Sequence, residues 1–150
     1  MENKRSLKKD VLINIRGIQT ADGESDVTEL FTQGLLYRRR DSYYITYEES
    51  ETTGFAGCRT TVRVDGPDRV SLIRHGPART SLTVERGVRN IGFYGTQQGE
   101  LLIGVSGSQV DVALDDTGGT LYFRYSLDVN SSLISENEVY VDVRENTALS

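Results

Sequence analysis

The stretch Gly119–Val129, GTLYFRYSLDV, decides the fold of this chain. Apolar residues stand at every odd position from Leu121 to Val129 and alternate with residues of the opposite parity. This alternation is typical of a β-strand with one buried face, because successive side chains of a strand point to opposite sides of the sheet. The preceding residues 99–114 are also strand-like, and the sequence Asp-Asp-Thr-Gly-Gly between the two predicts a hairpin.

The composition predicts one all-β domain. A chain of 150 residues has the length of a single domain, and a domain of this size buries roughly 70% of its unfolded surface. The 15 glycines, the eight tyrosines and the frequent Val and Thr favour strands and turns over helices. We expect a flexible lead at residues 1–9, the domain at residues 10–146, and a frayed tail at residues 147–150.

Some predicted strands contain interruptions of their alternation. Between Asp26 and Arg38, apolar residues occur at both parities around Gly34, which predicts a bulge or a bend. The apolar parity also changes near Ser106-Gly107-Ser108, which predicts a bulge. Residues 130–136 are interpreted as a polar loop. About ten short strands with such distortions are typical of a closed or nearly closed antiparallel barrel.

Several strand and turn segments resemble a known family. They are Tyr43–Glu49, Cys58–Val64, Val70–Gly76, Tyr94–Thr96, Gly99–Leu101 and Leu121–Leu127. Together they resemble the YwiB-like family of small bacterial proteins, over about residues 10–144. The resemblance implies a lipocalin-like, calycin-type β-barrel in the bacterial cytoplasm, with no established activity, cofactor or partner. We therefore predict a single antiparallel β-barrel of this type with about eight to ten strands.

Three polar residues occupy positions that the alternation assigns to apolar faces. They are Glu49, Arg74 and Tyr125. A buried charge is costly unless it is paired, so we expect Glu49 and Arg74 to meet at one end of the barrel, with Tyr47 or Tyr125 nearby. The cluster has two interpretations, a structural ion pair or an anchor for an anionic or polar small ligand in the barrel mouth.

The other reactive residue types lack the partners that chemistry requires. Cys58 is the only cysteine, shares the apolar parity of its strand, and is interpreted as a small buried hydrophobe. His75 is the only histidine, lies at a Gly-Pro turn, and has no nucleophile that the sequence places beside it. The sequence contains no zinc pattern, calcium loop or phosphate-binding loop, so we predict no metal and no cofactor.

The charge and the lack of targeting signals limit the classes of partner. The net charge of −5 argues against a general affinity for nucleic acid or anionic membranes, and the three arginines at 38–40 are interpreted as a solvated hairpin tip. The basic start of the sequence lacks the apolar run of a signal peptide, and no segment approaches transmembrane length. We expect a cytoplasmic protein.

Two functions are compatible with these features. The leading prediction is a non-enzymatic binding protein for a small molecule at the barrel mouth, with the ligand contacted by Arg74, Glu49, Tyr47 and Tyr125. The alternative is an interaction or homodimerisation module without a small-molecule ligand. In that case an exposed strand edge or the outward tyrosines Tyr44, Tyr122 and Tyr140 would contact the partner. Catalysis is less favoured, because no set of acid, base and nucleophile emerges.

Overall fold

Each strand of the protein pairs antiparallel with the next, and the first strand pairs with the last, so the sheet closes on itself. The computed structural model describes residues 8–96 and 98–147. Its strands are β1 (Lys9–Ala21), β2 (Glu24–Arg39), β3 (Ser42–Glu48), β4 (Arg59–Asp65), β5 (Arg69–His75), β6 (Thr80–Glu85), β7 (Arg89–Thr96), β8 (Gly99–Asp115), β9 (Gly118–Val129) and β10 (Ser132–Glu145). A short 3-10 helix, Glu51–Thr53, lies between β3 and β4. The prediction of an all-β antiparallel barrel with eight to ten strands is confirmed.

Closure leaves little open sheet edge for contact with a partner. Each strand of the described residues has a neighbouring strand on both sides, although β6 and β7 share only a short ladder. Pairing with another chain through backbone hydrogen bonds needs a free strand edge. The barrel therefore offers few free edges, and contact through a strand edge, like contact through outward side chains, stays a prediction. Most of the predicted lead and tail, residues 1–7 and 148–150, lies outside the described residues.

The alternation in β9 places its apolar side chains in the barrel interior as predicted. Leu121 and Phe123 are fully buried, and Tyr125 and Leu127 are nearly so. Neighbouring strands present matching apolar residues, since Phe123 lies opposite Val110 of β8. Burial of one face of each strand stabilises the barrel by about 25 cal/mol per Å² of apolar surface removed from water. The barrel interior is therefore the hydrophobic core.

The two predicted distortions have different outcomes. The ladder between β8 and β9 shifts register between Gly107 and Gln109, so the bulge predicted in β8 is confirmed. At Gly34 the sequence predicts a bulge or a bend; the ladder of β2 continues through this residue without a shift, which excludes the bulge and leaves the bend as a prediction. A side chain at Gly34 would overlap the carbonyl of Thr46 and the side chain of Ile13. The glycine is needed because neighbouring strands approach it closely.

The interpretation of residues 130–136 as a polar loop is also wrong. Asn130 and Ser131 alone form the connection, and both have positive φ, which permits a two-residue hairpin turn whose twist matches that of the strands. Strand β10 begins directly afterwards, and its register shifts between Leu133 and Ser135. This bulge sets the parity of the residues that follow, so Ser135 and Asn137 are buried.

The two ends of the barrel differ in packing. Strands β3 and β5 end at one opening, and β10 begins there; we call this opening the mouth. Apolar side chains fill the half away from the mouth, among them Val11, Ile13, Leu36, Val64, Val70, Val84, Leu121 and Val143. Among the described residues, no helix has both the length and the apolar character needed to cross a membrane.

Candidate functional site

A cavity of about 260 Å³ occupies the mouth half of the barrel. All four residues predicted to contact a ligand line it: Tyr47, Glu49, Arg74 and Tyr125. They come from β3, the residue after β3, β5 and β9; pairing of β3, β4 and β5 brings the first three together, and closure of the sheet adds Tyr125. The prediction that Glu49 and Arg74 meet at one end of the barrel with tyrosines nearby is confirmed.

Five strands contribute a continuous polar row to one wall of this cavity. Cross-strand pairing aligns one inward residue from each of β3 to β7: Tyr47, Thr60, Arg74, Thr80 and Tyr94. We call this set the Arg74 row. Aligned neighbours in adjacent strands lie about 5 Å apart, so their side chains can form hydrogen bonds to one another.

Glu49 is enclosed by donors beside this row. Arg74 Nη2 lies 3.5 Å from Glu49 Oε2, and the side chains are 14% and 1% exposed. Thr53 Oγ1 donates to Glu49 Oε1 at 2.7 Å, and Thr60 Oγ1 donates a short hydrogen bond to Oε2. Both carboxylate oxygens therefore accept hydrogen bonds within the protein, which is the arrangement that a buried charge requires.

Arg74 keeps hydrogen-bonding capacity after these contacts. Its Nη1 donates to Thr80 Oγ1 at 3.3 Å, and its guanidinium carbon lies 3.7 Å from the centre of the Phe55 ring. The stacking of the ring on the planar guanidinium fixes its orientation and adds a cation–π attraction. A guanidinium carries five N–H groups, and Arg74 Nε is buried without a hydrogen-bond partner in the described structure.

A loop holds two of these contacts in place. The Glu49 amide donates to the Cys58 carbonyl at 2.9 Å and closes the loop that contains the 3-10 helix. This loop carries Thr53 and Phe55 to the ion pair. Nothing in the composition of this loop indicates that Phe55 folds back onto a charged side chain across the mouth, so the sequence does not identify this contact.

The two predicted site tyrosines are neutral hydrogen-bonding groups. Burial raises the pKa of the Tyr47 hydroxyl, and the charge of Glu49 raises it further while Arg74 opposes both effects. Burial likewise raises the pKa of Tyr125. Both phenols therefore stay protonated at neutral pH; Tyr47 forms hydrogen bonds with Glu49 and Thr60 within the site and can still accept one from a ligand, and Tyr125 can donate one to a ligand.

A second polar row lies across the cavity. In the order of the ten strands, β5 and β10 are five places apart and face each other. Pairing aligns one cavity-lining residue from each of β2, β1, β10 and β9: Asp26, Gln19, Asn137 and Tyr125. We call this set the Asn137 row. The sequence interpretation missed it because it placed residues up to 136 in a loop, although Asn137 shares the parity of Val139, Val141 and Val143.

Cys58 and His75 lie in the surroundings that the sequence predicts for them. Cys58 is buried, and its thiol lies 3.8 Å from the Ala78 carbonyl, as expected for a structural cysteine. His75 is exposed at the end of β5. Residues 8–96 and 98–147 contain no group of three His, Cys, Asp or Glu side chains that could hold a metal ion.

The outward tyrosines Tyr44, Tyr122 and Tyr140 contact neighbouring side chains on the outer face of the barrel. The ring of Tyr44 stacks on Tyr37 at a centroid distance of 5.0 Å. Tyr122 and Tyr140 lie side by side, and both hydroxyls donate to Glu138 Oε1, at 2.8 and 3.3 Å. These contacts stabilise the outer face of the sheet.

Comparisons with known proteins agree with this architecture. A family model described as domain of unknown function (DUF1934) matches residues 13–141. The chain is 24% identical over 119 residues to the uncharacterized β-barrel protein YwiB of Bacillus subtilis (strain 168), covering 79% of this chain and 82% of that protein. The crystal structure of the ywiB protein from Bacillus subtilis superposes with a TM-score of 0.83 at 20% identity and covers 94% of each chain.

Proposed function

The chain belongs to the family of the domain of unknown function DUF1934, and from this membership and the geometry of the mouth we propose that it is a non-enzymatic binding protein for a small molecule. The ligand carries an anionic group that accepts hydrogen bonds from Arg74. Tyr47 and Tyr125 contribute neutral hydrogen bonds, and the apolar wall of the cavity contacts the rest of the molecule.

The observation that carries this proposal is the placement of Arg74. Its guanidinium lies at the wall of the cavity, is oriented by Glu49, Thr80 and Phe55, and keeps N–H groups beyond those that it donates to these partners. Binding sites typically combine an apolar wall with a few fixed polar groups. A preoriented guanidinium is suited to a carboxylate or phosphate, because its planar donors match their paired oxygens.

Glu49 has a positioning role in this proposal. Its two oxygens accept hydrogen bonds from Thr53 and Thr60, and one of them forms the ion pair with Arg74, so Glu49 is engaged in holding the guanidinium. The neighbouring tyrosines remain protonated. These features support binding over catalysis.

The cavity volume limits the size of the ligand. At about 260 Å³ it is slightly smaller than drug-sized sites, which span roughly 300–1,000 Å³. This volume supports a compact metabolite and disfavours a long lipid chain.

Two experiments test the proposal. Native mass spectrometry of the protein purified gently from its own cells should show a reproducible additional mass on the barrel. Calorimetric titration with para-methylbenzoate, a compact aromatic carboxylate, should give binding that weakens at least tenfold in Arg74→Gln and stays unchanged in Arg59→Gln. Arg59 is the control because it is an exposed arginine paired with Glu48 near the mouth. Absence of both an added mass and probe binding would refute the proposal.

One observation favours a second candidate, a homodimer formed through the outer face of β1 and β2. Phe31 is 73% exposed, and Val27 and Leu12 are also exposed on the outer face of these two strands. The surrounding surface carries charges of both signs, Glu29 and Asp142 with Arg16 and Arg144, which suits pairing with a second copy around a two-fold axis. Light scattering should then give the mass of a dimer that Phe31→Ser converts to a monomer. A wild-type monomer at all concentrations would exclude it.

A further inference from the structure

The charge around the mouth constrains what kind of anion can enter. The mouth carries many carboxylates, and within the part of the chain that the structure describes its exposed arginines are each paired with one of them: Arg59 with Glu48, Arg79 with Glu100, and Arg124 with Glu136. Asp22, Glu24 and Asp26 of the β1–β2 hairpin form no ion pair within the described residues. This negative field opposes a simple anion, while a molecule that also carries a positive group experiences no such net repulsion.

The two polar rows divide the charge across the cavity. The Arg74 row contributes a guanidinium on one wall. The Asn137 row contributes the carboxylate of Asp26 and the amide side chains of Gln19 and Asn137 on the other. Opposite backbones of a ten-stranded barrel lie roughly 20 Å apart for usual strand spacing and tilt, so a compact molecule can lie between the inward side chains.

Asn137 is built into this wall as a buried polar group. It is 8% exposed, and its Nδ2 donates to Ser135 Oγ at 3.0 Å. That bond is the single hydrogen bond of the Asn137 side chain within the described structure, so its carbonyl oxygen remains able to accept. The bulge between Leu133 and Ser135 sets its inward direction, and bulges commonly re-aim side chains at functional sites.

The neighbouring positions leave space beside this acceptor. Gly17 lines the cavity, and a Cβ added there would meet no atom within 4 Å. Its partners across the ladders are Thr28 and Val139, so a small polar and an apolar side chain border the gap. An ammonium group in this gap can therefore approach the carbonyl of Asn137, and the carboxylate of Asp26, an exposed residue two strands away in the same row, supplies the opposite charge at this wall.

We propose that the ligand is a zwitterion of amino-acid type, with its carboxylate on Arg74 and its ammonium group on Asp26 and Asn137. The inference rests on the proposed binding function and deepens it, because it names the protein groups that contact the second charged end of the ligand. The ligand carboxylate pairs with a cation at one wall and the ligand ammonium group pairs with an anion at the other, so the ligand can lie in the cavity in only one direction. These two ion pairs also favour a zwitterion over simple anions and simple amines, each of which leaves one wall without its partner.

Three probes with a common carbon skeleton test the assignment by calorimetric titration. They are para-(aminomethyl)benzoate, which is a zwitterion, para-methylbenzoate, which keeps only the carboxylate, and para-methylbenzylamine, which keeps only the ammonium group. The zwitterion should bind at least tenfold more tightly than either of the others. Asp26→Asn combined with Asn137→Val should remove the advantage of the zwitterion over para-methylbenzoate without weakening the binding of para-methylbenzoate.

The control for charge is Asp22→Asn, because Asp22 lies in the β1–β2 turn and carries the same charge without being among the residues that line the cavity. It should keep the preference for the zwitterion. If para-methylbenzoate binds as tightly as the zwitterion to the wild-type protein, the second end is wrongly assigned and the binding proposal stands. If none of the three probes binds, the zwitterion assignment is overturned as well. Far-UV circular dichroism of each variant checks that loss of binding does not reflect unfolding.

Discussion

Replacing Glu49 by Gln should destabilise the barrel far more than the same replacement at its sequence neighbour Glu48. Glu49 is 1% exposed at its side chain and balances the charge of Arg74, which is 14% exposed. Glu48 forms a shorter ion pair with Arg59, at 2.8 Å, but these side chains are 66% and 63% exposed. The comparison therefore tests whether burial, and not distance, decides the contribution of an ion pair.

The expected magnitudes differ several-fold. Removal of one partner from a buried pair costs about 3–5 kcal/mol, because the remaining charge is left in a poorly solvated site. We expect about 3 kcal/mol for Glu49→Gln, the lower limit of the range, since the amide oxygen of Gln can still accept from Thr53 or Thr60. For a domain of this size that corresponds to a decrease in Tm of about 6–12 °C. Glu48→Gln should cost less than about 1 kcal/mol.

Urea unfolding followed by far-UV circular dichroism measures these free energies. Circular dichroism suits this chain because it contains no Trp for fluorescence. The double variant Glu49→Gln with Arg74→Met removes the unpaired charge and should be more stable than Glu49→Gln alone. If Glu49→Gln and Glu48→Gln lower the free energy of unfolding by the same amount, the buried pair does not stabilise the mouth as argued. The same holds if the loss in the double variant equals the sum of the losses in Glu49→Gln and Arg74→Met.

Three further predictions concern packing and ionisation. Gly34→Ala should lower the free energy of unfolding by about 1–3 kcal/mol or prevent folding, because its Cβ would overlap a backbone carbonyl. The control is Gly17→Ala, whose Cβ would meet no atom within 4 Å and which should cost much less in the same urea assay. Burial raises the pKa of Tyr125 above its unfolded value of about 10, so its contribution to stability is complete below that pH and is lost as pH rises. Absorbance titration should show one phenol that ionises at a higher pH than the exposed tyrosines, and Tyr125→Phe should remove this step. The hydrogen bond from Arg89 lowers the pKa of Asp128, so the contribution of Asp128 to stability is present above about pH 3.9 and is lost as pH falls through the lowered pKa. The difference in unfolding free energy between the wild-type protein and Asp128→Asn should therefore vanish in strong acid. A difference that stays constant with pH would contradict this prediction.

Local patterns predict much of the fold and part of the site. The period of two in β9 identifies which side chains are buried, and the change of parity at Gly107 identifies a real bulge. Glu49 and Arg74 can be paired from sequence because a charge at an inward position needs an opposite charge. Asn130 and Ser131 show where such reasoning fails, because a polar pair with positive φ makes a tight turn that resembles the start of a longer loop.

The sequence by itself therefore determines that this protein is an antiparallel barrel and which residues face its interior, because alternation is a local property of each strand. Only the tertiary structure decides which inward residues face one another. Closure places β10 opposite β5 and the Asn137 row across from the Arg74 row, and the loop between β3 and β4 places Phe55 over the guanidinium. These relations depend on strand number, register and tilt around the whole barrel, and no short segment of the chain carries that information.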